Sequence, residues 1–224
     1  MSLRTTAAVA AGKLTRAGLQ TIGRGATALP GLVTLAVDPG AIAAMTAGLA
    51  HGAVLVSGTN GKTTTSRILA DVVRAAGWSP IHNRSGSNLD RGIAAALLAE
   101  SDWTGAPHGN VAIFEVDEAS MPRVLGRIEP RVVLVTNLFR DQLDRYFEVD
   151  QLARRMASSF AALPATTTLV LNADDPIVAR LGDEHRGPTL YFGIDDPSVG
   201  GRVAQAISDA THWPRCGTRL RYER

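Results

Sequence analysis

From about Val54 the chain settles into a rhythm of short apolar runs separated by longer amphipathic stretches. VLVS (54–57), VAIFEVD (111–117), RVVLVTNL (131–138), TTLVLNADD (167–175) and TLYFGI (189–194) are rich in β-branched and aromatic residues and read as strands. Helical periodicity fills residues 63–76, 87–100, 121–128 and 149–163, with a short helix in PIVARLG. In residues 63–76, Ile68, Leu69, Val72 and Val73 share one face, and Gly77 supplies the stop. Ser87 or Asn88 is the expected cap of the next helix. Apolar strands linked by helices predict a mostly parallel sheet, covered on both faces, in a three-layer α/β domain.

Composition adjusts this picture at its edges. With 224 residues, 45% of them hydrophobic and 20% charged, the chain can build one large domain with appendages. A net charge of +2 and 5% aromatics argue against a nucleic-acid partner. Cys216 is the one cysteine, which excludes an internal disulfide and fits a reducing, cytoplasmic setting. No apolar run approaches the roughly 18 residues that cross a bilayer. The first acid is Asp38, preceded by Arg4, Lys13, Arg16 and Arg24. A helix lying on an anionic membrane would look like this, and so would a solvated helix packed on its own domain, which is the preferred reading. The tail from Gly200 changes character and reads as the opening of another module. The expected division is residues 1–45, a helical segment; 46–199, the α/β domain; and 200–224, the start of a ribbon-like insertion.

The candidate chemistry follows the carboxyl ends of strands, where open parallel sheets bind ligands. Gly58-Thr59-Asn60-Gly61-Lys62-Thr63 lies between a strand and a helix. Glycines let backbone N–H groups converge on phosphate, and the helix start adds its positive dipole end. Lys62 would reach the β and γ phosphates of ATP, and the Thr63 hydroxyl would ligate Mg²⁺. Lys62 is also one of only two lysines among 23 basic residues, so its place in a glycine loop argues for a role needing an ammonium. Glu115, Asp117 and Glu118 close the second apolar run; Glu115 sits deepest as a Mg²⁺ ligand candidate, while Asp117 and Glu118 stay unranked. His82, Arg84 and Arg91 in HNRSGSNLDRG suit an anionic substrate or a capped helix entry. Asn172, Asp174 and Asp175 in LNADDP suit adenosine contacts or a turn.

GTNGKTTT, the FE strand end, TNL-x-RDQLDRY and LNADDP, in this order, resemble the ATP-binding central domain of the Mur ligase family, over about residues 40–195. HNRSGSNLDRG and DQLDRY are similar to one branch, the ligase subunits of lipid II isoglutaminyl synthase. The resemblance implies ATP-dependent activation of the α-carboxylate of D-isoglutamate in the lipid II stem peptide for peptidoglycan synthesis. Ammonia would come from glutamine through a glutaminase subunit of the GatD type, and membrane contact would be peripheral, through the substrate. Carried over, Gly58, Thr59, Asn60, Gly61, Lys62, Thr63 and Thr64 hold nucleotide, Thr63 and Glu115 hold Mg²⁺, and Lys62 and Glu115 are the catalytic pair. Asn172, with Asp174 or Asp175, faces the adenosine. Three departures qualify the resemblance. Trp213 stands where the branch's ribbon has its first cysteine, so zinc is doubtful. Gln142 replaces a histidine metal ligand. The family's C-terminal domain is missing after Arg224, so the chain is expected to be a truncated ligase. No lysine follows Lys62, which counts against relatives that carbamylate a later lysine. An amino-acid-adding or folylpolyglutamate-type ligase, or a nucleotide-binding subunit without turnover, are the alternatives.

Overall fold

The five apolar runs become β1 (Ala53–Ser57), β3 (Val111–Glu115), β4 (Val132–Val135), β5 (Thr168–Asn172) and β6 (Thr189–Phe192), and a further short strand that was not among them, β2 (Pro80–His82), joins the sheet. They form one parallel sheet in the order β2-β3-β1-β4-β5-β6. This is a computed structural model that describes residues 1–21, 23, 28–83, 88–139, 146–194 and 218, with backbone alone at 146–148. The expectations for Arg84, Ser87, Gln142, Trp213, Cys216 and the module from Gly200 therefore fall outside the described residues. The helices are α1 (Leu3–Thr21), α2 (Leu29–Val37), α3 (Ala41–Thr46), α4 (Lys62–Ala75), α5 (Asp90–Ala99), α6 (Met121–Leu125), α7 (Tyr146–Ala161) and α8 (Pro176–Ala179).

Strand alternation divides the core in two. Leu55, Phe114 and Val133 point to the face covered by α5 and α7, where Ile93, Leu97, Met156 and Phe160 are buried beside them. Val56 and Ile113 point to the opposite face and meet Ala70 of α4. The sheet is thus sandwiched as expected, but α4 uses a different stripe from the one its large residues suggest. Ser66 and Ala70 are buried and Leu69 and Val73 pack beside them, whereas Ile68 and Val72 are 58% and 59% exposed. Small residues let α4 approach the sheet closely. The contact line therefore runs through positions 66, 69, 70 and 73, an i, i+3, i+4, i+7 stripe one step away from the apolar quartet.

Two of the N-terminal basic residues, Arg4 and Lys13, serve packing. Thr5, Ala8, Val9 and Gly12 are the buried face of α1. Lys13 donates to the carbonyls of Leu98 and Ser101 at 2.9 and 2.6 Å, capping the C-terminal end of α5. Burial, and next the charge of Arg16, hold its ammonium below the usual lysine range, with Asp102 pulling the other way. Arg4 donates to the carbonyl of Val37, and Thr5 to the carboxylate of Asp38, which fastens the start of α1 to the end of α2. Of the two readings of this segment, the packed helix is the one observed. Among the described residues no helix is long and apolar enough to cross a membrane.

The order of the strands decides where chemistry can collect. Chain progression from β1 goes to β2 on one side and, after β3, crosses to β4 on the other, so the order reverses at β1. The loop after β1 lies in the crevice between the carboxyl ends of its two neighbours, β3 and β4.

Candidate functional site

The loop after β1 turns twice into backbone that glycine tolerates, at Gly58 (φ 134°) and Gly61 (φ 85°), the latter being the N-cap of α4. Because α4 begins at Lys62, the amides of Lys62, Thr63 and Thr64 have no carbonyl one turn back to bond. They point out of the helix N-terminus toward the crevice, as an anion requires. Thr59 and Asn60 are differently engaged. The Thr59 amide donates to the Asn137 carbonyl at 2.9 Å, and the Asn60 amide to the Asn137 side chain at 2.8 Å. Asn137 and Thr136 both donate back to the carbonyl of Asn60, and the Thr59 hydroxyl exchanges bonds with Phe139. The segment after β4 is therefore a clasp around this loop, and Asn137, one of several polar residues there by sequence, is its centre.

Lys62 lies in the same crevice. Its ammonium donates to the carbonyls of Gly58 and Thr59 and pairs with the carboxylate of Glu118 at 3.1 Å. The structure separates the two acids that sequence left level. The Asp117 carboxylate accepts from the Ala119 amide and caps the 3-10 turn Glu118–Ser120, while Glu118 faces the lysine.

Glu115 is 4% exposed at the end of β3. Thr63 and Asn88 donate to the same carboxylate oxygen, Oε1, at 3.0 and 2.9 Å. Asn83, at the end of β2, braces the backbone of Glu115 from both sides: its amide donates to the Glu115 carbonyl at 2.8 Å, and the Glu115 N–H donates to its side-chain oxygen at 2.9 Å. Both asparagines were visible in HNRSGSN, but only as parts of a polar cluster. What identifies them is the adjacency of β2 and β3, which sequence spacing does not encode. Asn88 explains why the helix cap differs from expectation. The N-cap of α5 is Leu89 with no side-chain bond, because Asn88 is drawn to Glu115 instead.

These donors fit a Mg²⁺ that arrives with a nucleotide. Among the described residues no three His, Cys, Asp or Glu side chains converge. One carboxylate and one hydroxyl, Glu115 and Thr63, are what Mg²⁺ takes from a protein when phosphate and water supply the rest. The Asn88 Oδ1 atom is buried without a hydrogen-bond partner, on the same amide whose Nδ2 donates to the Glu115 carboxylate at 2.9 Å. A metal-bound water would donate to it. Asn88→Ala is expected to raise the Mg²⁺ concentration for half-maximal nucleotide binding about tenfold, as loss of a ligand-orienting partner does. A magnesium titration at fixed nucleotide reads this directly.

The residues after β5 are less available. Asn172 donates to the Thr136 carbonyl at 2.8 Å and accepts from the Asp174 amide, and Asp174 accepts from Ile194. Asp175 is 6% exposed; one oxygen accepts from Ile177 and Val178 at the start of α8, and the other from Leu138 at 2.7 Å. Asp175 is a helix cap that also ties down the segment after β4. Asn172 and Asp175 thus both reach the clasp, at Thr136 and Leu138 respectively. Arg91 is exposed on α5, and His82 is half-buried in β2.

Residues 56–212 match the family model described as the Mur ligase middle domain. The chain is 33% identical over 221 residues to the MurT subunit of lipid II isoglutaminyl synthase (glutamine-hydrolyzing) of Staphylococcus aureus (strain N315), covering 99% of this chain and 48% of that one. To the MurT subunit of Streptococcus pneumoniae it is 34% identical over 224 residues, again 48% of the relative. The chain thus spans about half the length of the curated relatives it matches. Among solved structures, MurF ligase from Thermotoga maritima in complex with ADP superposes with a TM-score of 0.60 at 16% identity, over 73% of this chain and 37% of that chain, a likeness of fold. The parallel sheet reversing at β1, the clasped loop at its end and these matches have one common source: the chain belongs to the Mur ligase family.

Proposed function

We propose that this chain carries the MgATP site of a ligase subunit that activates the α-carboxylate of D-isoglutamate in the lipid II stem peptide. Ammonia released from glutamine by a glutaminase subunit of the GatD type would then form the amide, in the cytoplasm. The observation that carries this reading is the similarity to MurT subunits over the whole chain, 99% of it at 33% identity. The geometry supports it at the level of chemistry. In this reading residues 46–199 are the ATP-binding domain, residues 1–45 a helical brace on it, and residues 200–224 the start of a further module.

In the reaction a carboxylate oxygen attacks the γ-phosphorus, the bond to the β-phosphate oxygen breaks, and ADP leaves. Ammonia then displaces phosphate from the activated carboxyl. Lys62 and the amides of Lys62, Thr63 and Thr64 would neutralise charge on the phosphates, and the clasp from Asn137 keeps their loop from rearranging as charge shifts. Bound Mg²⁺ would supply Lewis-acid stabilisation of the phosphates, held by Thr63 and by Glu115. Asn83 and Asn88 keep that carboxylate in one orientation. Asn172, bonded to the Thr136 carbonyl, would be an adenosine-side contact.

The test is reconstitution. The full-length protein, mixed with its glutaminase and given lipid II, MgATP and glutamine, is expected to produce amidated stem peptide detectable by mass spectrometry. Amino-acid addition to the precursor instead, or ATP binding without any turnover in the complete mixture, overturns the assignment.

A further inference from the structure

A lysine ammonium has three N–H donors. All three of Lys62 are used, on the Gly58 carbonyl, the Thr59 carbonyl and the Glu118 carboxylate. The first two acceptors belong to the phosphate loop itself and can remain while that loop holds its ligand. Glu118 cannot, because it fills with its own negative charge the side of the ammonium that a phosphate would need. The pair is well shielded, with the two side chains 13% and 14% exposed, so water weakens it less than a surface pair.

Glu118 is also mounted firmly. It opens the 3-10 turn capped by Asp117, and the amide of Asp117 donates to the carbonyl of Asn88 at 3.1 Å. The turn is fixed to the same residue that orients Glu115, so the Glu118 side chain, rather than its backbone, is the part able to yield.

We propose that Glu118 is a positioning residue that holds Lys62 while no phosphate is bound and is displaced by the nucleotide's phosphate, anion for anion. The inference rests on reading the loop at residues 58–64 as a phosphate site. Its consequence is an affinity set deliberately low. Only molecules whose lysine has left Glu118 are competent, and the apparent dissociation constant rises by the inverse of that fraction.

The experiment is calorimetric titration of MgADP, MgATP and adenosine into the full-length protein and its Glu118→Gln and Lys62→Ala variants. Glutamine keeps the shape and removes the charge. MgADP and MgATP are expected to bind E118Q about tenfold more tightly than wild type, with adenosine unchanged, since the competition concerns phosphate alone. Glu118→Asp, one methylene shorter, moves the same way and decides the matter if E118Q proves unstable in thermal unfolding. Equal or weaker nucleotide binding by the folded variants overturns the proposal while leaving the phosphate site standing. A gain that extends to adenosine also overturns it, because the residue would then act on the general shape of the site. Nucleotide binding by K62A equal to wild type overturns the site reading, and this inference with it.

Discussion

Lys62→Ala is expected to abolish measurable MgATP binding and to lower ATP turnover in the full-length protein about 10³-fold, the scale of removing one preorganised charge-stabilising group. The argument is one of supply. Among the described residues the ammonium of Lys62 is the positive side chain bonded to the loop, beside backbone amides at a helix start. Amides alone bind phosphate weakly, and the variant leaves Glu118 without its 3.1 Å partner, adding an unneutralised carboxylate where phosphate must go. The loss is therefore twofold, an attraction removed and a repulsion uncovered. Lys62→Ala/Glu118→Gln should recover part of the binding lost in the single variant, since it removes the repulsion. If the two variants bind alike, Glu118 acts on nucleotide only through Lys62 and the repulsion is absent. Calorimetry on a folded sample checks binding, and phosphate release in the complete reaction checks turnover.

Gly58→Ala has the larger expected effect on stability, about 3 kcal/mol, or a fall in Tm of about 6–12 °C for a chain of this size. Two penalties combine. Its φ of 134° lies in a region that residues with a β-carbon avoid. A β-carbon there would also stand 2.1 Å from the Thr136 hydroxyl and 2.9 Å from the Asn137 carbonyl. Relief by moving Thr136 breaks its bonds to the carbonyls of Ser57 and Asn60 and loosens the clasp. Thermal unfolding measures the cost, and Thr136→Ala in the same chain should restore part of it by opening the space. A Gly58→Ala protein that melts within about 2 °C of wild type would mean that the close approach is not needed.

How much of this could be read from the residues alone depends on the range over which each feature is decided. Five of the six strands were legible because each is an apolar run, a local property, and the loop between β1 and α4 because its glycines, lysine and threonines are consecutive; β2, only Pro80–His82, was too short to stand out. The packed stripe of α4 was not, since Ser66 and Ala70 are buried for their smallness while Ile68 and Val72 are left outside. The cap of α5 was misassigned for a long-range reason: Asn88 answers to Glu115, 27 positions away. Asp117 and Glu118 could not be told apart because neighbours at a strand end differ only in which way the following turn directs them. Asp175 fits the turn chemistry that its NADDP context already offered. Its bond to Leu138 depends on the pairing of β4 with β5.

The clasp between Thr59, Asn60 and Asn137 joins chain segments 77 residues apart through bonds made by both backbones. Neither loop can open alone without leaving N–H and carbonyl groups bereft of partners, so the two share a single opening equilibrium. In amide hydrogen exchange the segment after β4 would then report on what the loop after β1 binds, and nucleotide would slow exchange in residues it never touches.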